Sequence, residues 1–189
     1  MPLKTVALVA AAILAMGAAP APKAAPPKVA PAKAAPAKVL ARPAPRDDGF
    51  DARDPATMIA ILSAAGAKAE VAHREADAVY LTVTSTSAAF LVQFASCDGQ
   101  GRKCAVALFD STAEKAAPTL GQINAYNQTS AMCRGFQDKG GKAHVLYSNL
   151  LFAADTRERL TQQLVAWRGC LAEFRDFVND PTAYLAAAP

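Results

Sequence analysis

The apolar positions between residues 50 and 180 change period several times, and each change marks an element. Asp54-Pro55 offers a capping carboxylate followed by proline at the first helical position. Met58, Ile61 and Leu62 then recur at helical spacing, and Gly66 supplies a stop. Residues 69–74 alternate, with Ala69, Val71 and, extending the alternation, His73 against Glu70 and Arg74. Val79, Leu81 and Val83 alternate with Tyr80, Thr82 and Thr84 in a second strand. Phe90–Ala95 and Ala105–Phe109 are apolar runs either side of a polar, Gly-containing turn, the pattern of a hairpin. Pro118 opens a second helix carrying Leu120, Ile123, Tyr126, Asn127 and Met132. Strands over 133–137 and 144–152 flank the Asp138–Lys142 turn. From Thr156, Leu160, Leu164, Trp167, Leu171, Phe174 and Val178 recur every three or four residues in a long last helix, which ends near Asn179. The order α-β-β-β-β-α-β-β-α, with hairpin-length loops, predicts an α+β domain: an antiparallel sheet with helices packed on it.

Cys97 and Cys104 bracket the hairpin turn. Facing hairpin positions have Cα atoms about 4.5–5.5 Å apart, which a disulfide spans. The expectation is a structural staple rather than a switchable redox pair. The spacing is not the CxxC of an oxidoreductase, and no second pair at ligand spacing makes a zinc knuckle. Cys133 and Cys170 are the other two of the four cysteines. They read as a second bridge or as two buried thiols packing as small hydrophobes.

A disulfide needs an oxidising compartment, and the N-terminus agrees. Residues 1–17 read as a signal peptide: Lys4 is the basic start, Val6–Met16 the apolar stretch, and Ala15 and Gly17 the small residues before cleavage. The apolar run is short for about 30 Å of hydrocarbon, and Pro20 and Pro22 end it. Residues 18–46 contain eight prolines and a lysine at 23, 28, 33 and 38. Proline fixes φ and removes donors, so this tract is expected to be a disordered, extended spacer, with residues 47–189 as the folded domain.

Charge sharpens that division. The chain is formally +4, but residues 1–46 hold seven of its 20 Lys and Arg and none of its 16 acids. Residues 47–189 therefore carry −3, and no folded basic patch suggests a nucleic-acid partner. The spacer lysines offer at most weak contact with an anionic envelope surface.

The Asp54-Pro55 helix ending at Gly66, the FLVQFASC…KCAVALF hairpin, the INAYN segment 123–127, the DKGG turn and the Trp167 helix together resemble the YbjN family of bacterial proteins. The resemblance covers about residues 50–180. It implies a fold like that of type III secretion chaperones and a loosely described role as a sensory transduction regulator, with no established catalytic residues. The family's helix motif, two asparagines three apart, corresponds to Asn124 and Asn127. Where the family's next strand is commonly acidic, this chain has Tyr147, Ser148 and Asn149.

Candidate chemistry is sparse. His73 and His144 are the only histidines. A Cys–His nucleophile would need a free thiolate, and there is no GxSxG elbow. No phosphate-binding glycine motif is present, and DKGGK lacks the carboxylates of an EF-hand. Asn124, Tyr126 and Asn127 form either a binding motif or, the preferred reading, amides that lock the helix to the sheet. The expectation is a periplasmic, non-enzymatic domain without cofactor or metal, which binds a protein partner through a sheet face or forms a homodimer. The alternatives are an envelope enzyme using a free Cys133 or Cys170, and a small-ligand sensor with a pocket between sheet and helices.

Overall fold

Asp54 caps the first helix. Its carboxylate accepts a hydrogen bond from Ala56 N–H at 2.9 Å, and Pro55 occupies the first turn of α1 (Pro55–Ala64). Gly66, at φ +81°, reverses the chain after the helix, a conformation that favours glycine. There follow β1 (Lys68–Arg74), β2 (Ala78–Thr84), β3 (Ala89–Ala95), β4 (Val106–Thr112), α2 (Leu120–Thr129), β5 (Arg134–Gln137), β6 (Ala143–Leu150), α3 (Arg157–Asn179) and α4 (Pro181–Ala187). This is a computed structural model that describes residues 49–115 and 118–188. The expected leader and spacer lie outside the described residues.

The six strands form one sheet in the order β1-β2-β3-β4-β6-β5, with every neighbouring pair antiparallel. The α+β class and the nine expected elements are present. α4 is an addition, started by Asp180, whose carboxylate accepts from Ala183 N–H at 3.0 Å.

Alternation decides which face is core. Val79, Leu81 and Val83 pair with Phe94, Val92 and Phe90; Val92 pairs with Phe109, and Phe109 with Tyr147. Met58, Ile61 and Leu62 of α1, Ile123 and Tyr126 of α2, and Leu160, Leu164, Trp167, Phe174 and Phe177 of α3 join the same buried cluster. Trp167 sits against Phe90 and Phe109, with ring centroids 5.5 and 5.6 Å away. Each fully buried large side chain of this kind contributes about 1.5–3 kcal/mol.

Several details depart from the pattern-based expectation. A bulge between Val71 and His73 breaks the alternation of β1. Ala69 and Val71 stay opposite the core residues Val83 and Leu81, but His73 moves to the other face and stacks on Tyr80 at 4.0 Å. Helix α2 starts after Thr119, which forms a capping box with Gln122, and stops at Thr129. Met132 is therefore outside the helix, and Leu120 and Met132 are exposed. Strand β6 ends at Leu150, leaving Phe152 exposed beyond it.

The cysteines of the hairpin do not face each other within the ladder, whose last pair is Ala95 and Val106. Cys97 and Cys104 lie just past it, within disulfide-bonding distance and with Cα atoms 3.8 Å apart. Ser96 and Lys103, each preceding one of them, both have φ of 53°. Cys133 and Cys170 are also within bonding distance, with Cα atoms 5.6 Å apart, and tie the start of β5 to the middle of α3.

The two long hairpin loops share one construction. In Asp98–Arg102 and Asp138–Lys142, the first and fifth residues are joined by an N–H to carbonyl bond of 2.7 and 3.0 Å. The aspartate carboxylate accepts from the fifth residue's N–H at 2.8 Å in both. Gly101 and Gly141 occupy the left-handed fourth position. These hydrogen bonds hold both carboxyls below the usual carboxylate range.

Candidate interaction surface

The second face of the sheet has no helix packed on it among the described residues. Its rows follow from the register. Thr82, Leu91, Asp110, Leu146 and Arg134 form one row across β2, β3, β4, β6 and β5. Tyr80, Gln93, Leu108 and Ser148 form the next, and Ala78, Ala95, Val106 and Leu150 the last. Leu91 and Leu150 are 45% and 61% exposed, while Val106, Leu108 and Leu146 are half-buried. Leucine and valine thus share the face with single polar groups interspersed among them on β3, β4 and β6.

The polar groups are ordered. Gln93 Nε2 donates to Tyr80 Oη at 3.1 Å, and Tyr80 Oη donates to Glu75 at 3.3 Å. His144 is largely enclosed. Its Nδ1 lies 2.9 Å from Asp110 Oδ1 and 3.2 Å from Thr112 Oγ1, its Nε2 lies 3.5 Å from Asp138 Oδ2, and its ring stacks on Phe136 at 4.6 Å. Arg134 is held by the carbonyls of Ser130 and Cys133, both at 2.8 Å.

Both edges of the sheet are protected against pairing. Strand β1 carries Lys68, Glu70 and Arg74 and the bulge at Ala72. On β5, Asn127 occupies the backbone groups of Gly135: Gly135 N–H donates to Asn127 Oδ1 at 2.7 Å, and Asn127 Nδ2 donates to the Gly135 carbonyl at 3.0 Å. Gly135 is bare for a reason, since a Cβ there would lie 3.3 Å from Tyr126 Cδ1.

The candidate residues named from sequence therefore do different things. Asn127 docks α2 on the edge strand. Asn124 is exposed. Tyr126 is buried with its ring stacked on Phe177 at 4.7 Å, and burial pushes its hydroxyl well above the ordinary tyrosine range. None of the three belongs to the outer face. Cys133 and Cys170 are buried at 2% and 1% exposure, whereas Cys97 is half-buried beside a fully buried Cys104. Tyr184 of α4 donates to Glu173 at 2.8 Å; burial first, then this bond, push it up to about 12. Among the described residues, no group of three or more His, Cys, Asp or Glu is arranged to hold a metal ion, and no helix is long and apolar enough to cross a membrane.

The sequence points to a sheet face but not to its residues, because FLVQF, VALF and HVLY are apolar at nearly every position. Such runs read as strands buried on both sides. The signal that could have found it is the small number of helices: their apolar stripes cover one sheet face and no more.

The family comparison agrees with this architecture. The YbjN family model, described as "Putative bacterial sensory transduction regulator", matches residues 54–180. The chain belongs to that family. No curated protein and no solved structure matches it.

Proposed function

We propose that this YbjN-family domain is an exported, non-enzymatic module of the cell envelope that binds a protein partner through the outer face of its sheet. The observation that carries the reading is the Leu91, Val106, Leu108, Leu146 and Leu150 surface, left uncovered while both sheet edges are blocked. A partner would bury these side chains against its own apolar residues, with Asp110, Gln93 and Ser148 setting register. A regulatory role, as the family description has it, is consistent with a surface that binds and releases.

Export is supported by the leader-like residues 1–17 and by four cysteines that all fall into two bonding pairs. Disulfides persist in oxidising compartments. The same pairing argues against an enzyme that uses a free thiol. The test is affinity capture from envelope extract with the wild-type domain, with a Leu108→Asp, Leu150→Asp variant and with an Asn124→Ala variant. The partner should be recovered by wild type and Asn124→Ala and lost by the leucine variant at unchanged melting temperature. Equal recovery by all three overturns the reading.

A further inference from the structure

A cleft of about 960 Å3 opens where α3 passes the ends of β3 and β4. Its floor is apolar: Phe90 from β3, Leu171 and Val178 from α3. Four cations and two acids line the cleft, and Arg175 Nε also lies 3.8 Å from the exposed Asp176 Oδ1. Arg168 and Arg175 are seven residues apart on α3, two turns of one face, or about 10.5 Å of rise. Leu171 lies between them. Lys115 stands on the other wall and donates to Asn179 Oδ1 at 2.5 Å, which ties that cation to the end of α3. Lys142 is the fourth cation, against Asp110 and Glu114. Asp110 is already engaged by His144 at 2.9 Å. This concentration of positive charge lies in a domain whose residues 47–189 carry −3 overall.

We propose that this cleft binds a single-chain amphiphile: an alkyl chain on the Phe90–Leu171–Val178 floor, with an anionic head between Arg168, Arg175 and Lys115. The volume falls within the range of about 300–1,000 Å3 typical of small-molecule sites. An inorganic anion would leave the apolar floor unused, and a hydrocarbon would leave the cations unused. An extended peptide fits less well. Peptides recognised as added strands pair with a free sheet edge, and the strands lining this cleft, β2, β3 and β4, are interior ones whose backbone groups are taken by their neighbours. The alkyl chain asks for no backbone partner. The cleft reaches Thr82, Leu91 and Asp110 at the border of the outer face, but the residues that carry this inference, Arg168, Arg175, Leu171 and Val178, belong to α3 on the core side of the sheet, so the two readings are tested by different side chains.

The test is titration calorimetry on the disulfide-intact domain with decanoate, decyl phosphate, decanol and decyltrimethylammonium, each below its micellar concentration. Decanoate or decyl phosphate should bind, and the neutral and cationic analogues at least tenfold more weakly. Binding of decanoate alone assigns a carboxylate head as in free fatty acids; decyl phosphate alone assigns a lysophospholipid-type phosphate. Arg168→Glu with Arg175→Glu, both exposed positions, should weaken binding at least tenfold without changing the melting temperature. A Leu108→Asp variant, which tests the outer face, should bind as wild type does. The proposal fails if no probe binds, if the cationic analogue binds equally well, if the double arginine variant binds normally, or if an acidic peptide binds where both anionic amphiphiles do not.

Discussion

Asn127 and Gly135 exchange two hydrogen bonds, 2.7 and 3.0 Å long, so that an amide side chain on a helix completes the edge of a β-sheet. The bond pair fixes α2 to β5 and leaves no free donor or acceptor at Gly135. Asn127→Ala is expected to cost about 1–3 kcal/mol, the penalty for a partly buried donor and acceptor left without partners. Asn124→Ala, three residues away and exposed, should change stability by no more than about 0.5 kcal/mol. Gly135→Ala should also destabilise, because Tyr126 stands 3.3 Å from the new Cβ and is itself fully buried. Urea unfolding of the three variants measures this order.

The two cysteine pairs are expected to differ in their contribution. The Cys97–Cys104 pair closes a separation of 7 residues and the Cys133–Cys170 pair one of 37. On the loop-entropy model these correspond to about 2.5 and about 4 kcal/mol. Replacing Cys133 and Cys170 together with Ala should therefore lower the urea midpoint more than replacing Cys97 and Cys104. Peptide mapping without reduction should recover both pairs as drawn.

Acid should loosen both long hairpin loops. Asp98 and Asp138 have carboxyls held below the usual carboxylate range by bonds from Arg102 and Lys142 N–H. A lowered folded-state value gives a contribution that is present above the unfolded value of about 3.9 and is lost as pH falls through the folded one. Asp98→Asn with Asp138→Asn should make stability less steeply dependent on pH below about 4. A fluorescence melt series from pH 2 to 6 reads the slope.

Much of this fold was legible in the sequence where a single physical rule governs. The alternation of Val79, Leu81 and Val83 places β2 correctly, and Asp54-Pro55 places α1. Asp180-Pro181 carries the same start signal, yet the seven residues from Pro181 to Ala187 only half-bury Tyr184 and Leu185 against the core and offer no apolar stripe long enough to read. Extending the alternation to His73 puts it on the wrong face, because a bulge is decided by pairing and one extra residue reverses every side chain beyond it. The cysteine pairing followed from spacing, but its position past the ladder depends on the left-handed turns at Ser96 and Lys103. A sheet face and a pocket between sheet and helices were expected in kind, but the residues that make them were not legible. Arg168 and Arg175 show no signal in the sequence, because their place beside β3 depends on how α3 packs.

The expected leader and spacer carry a separate test. Exported protein should begin at Ala18 by intact mass, and deletion of residues 18–46 should leave the melting temperature nearly unchanged. Retention of residues 1–17, or a large drop on deletion, would contradict this division of the chain.

If a protein partner sits on the uncovered sheet face, a photo-crosslinking side chain at Leu108, in the middle of that face, will reach it, and one at Val165, an apolar residue 62% exposed on α3, will not. After irradiation in intact cells, position 108 should give a discrete higher-mass adduct and position 165 none. An adduct from position 165 with none from position 108 would contradict this placement of the partner.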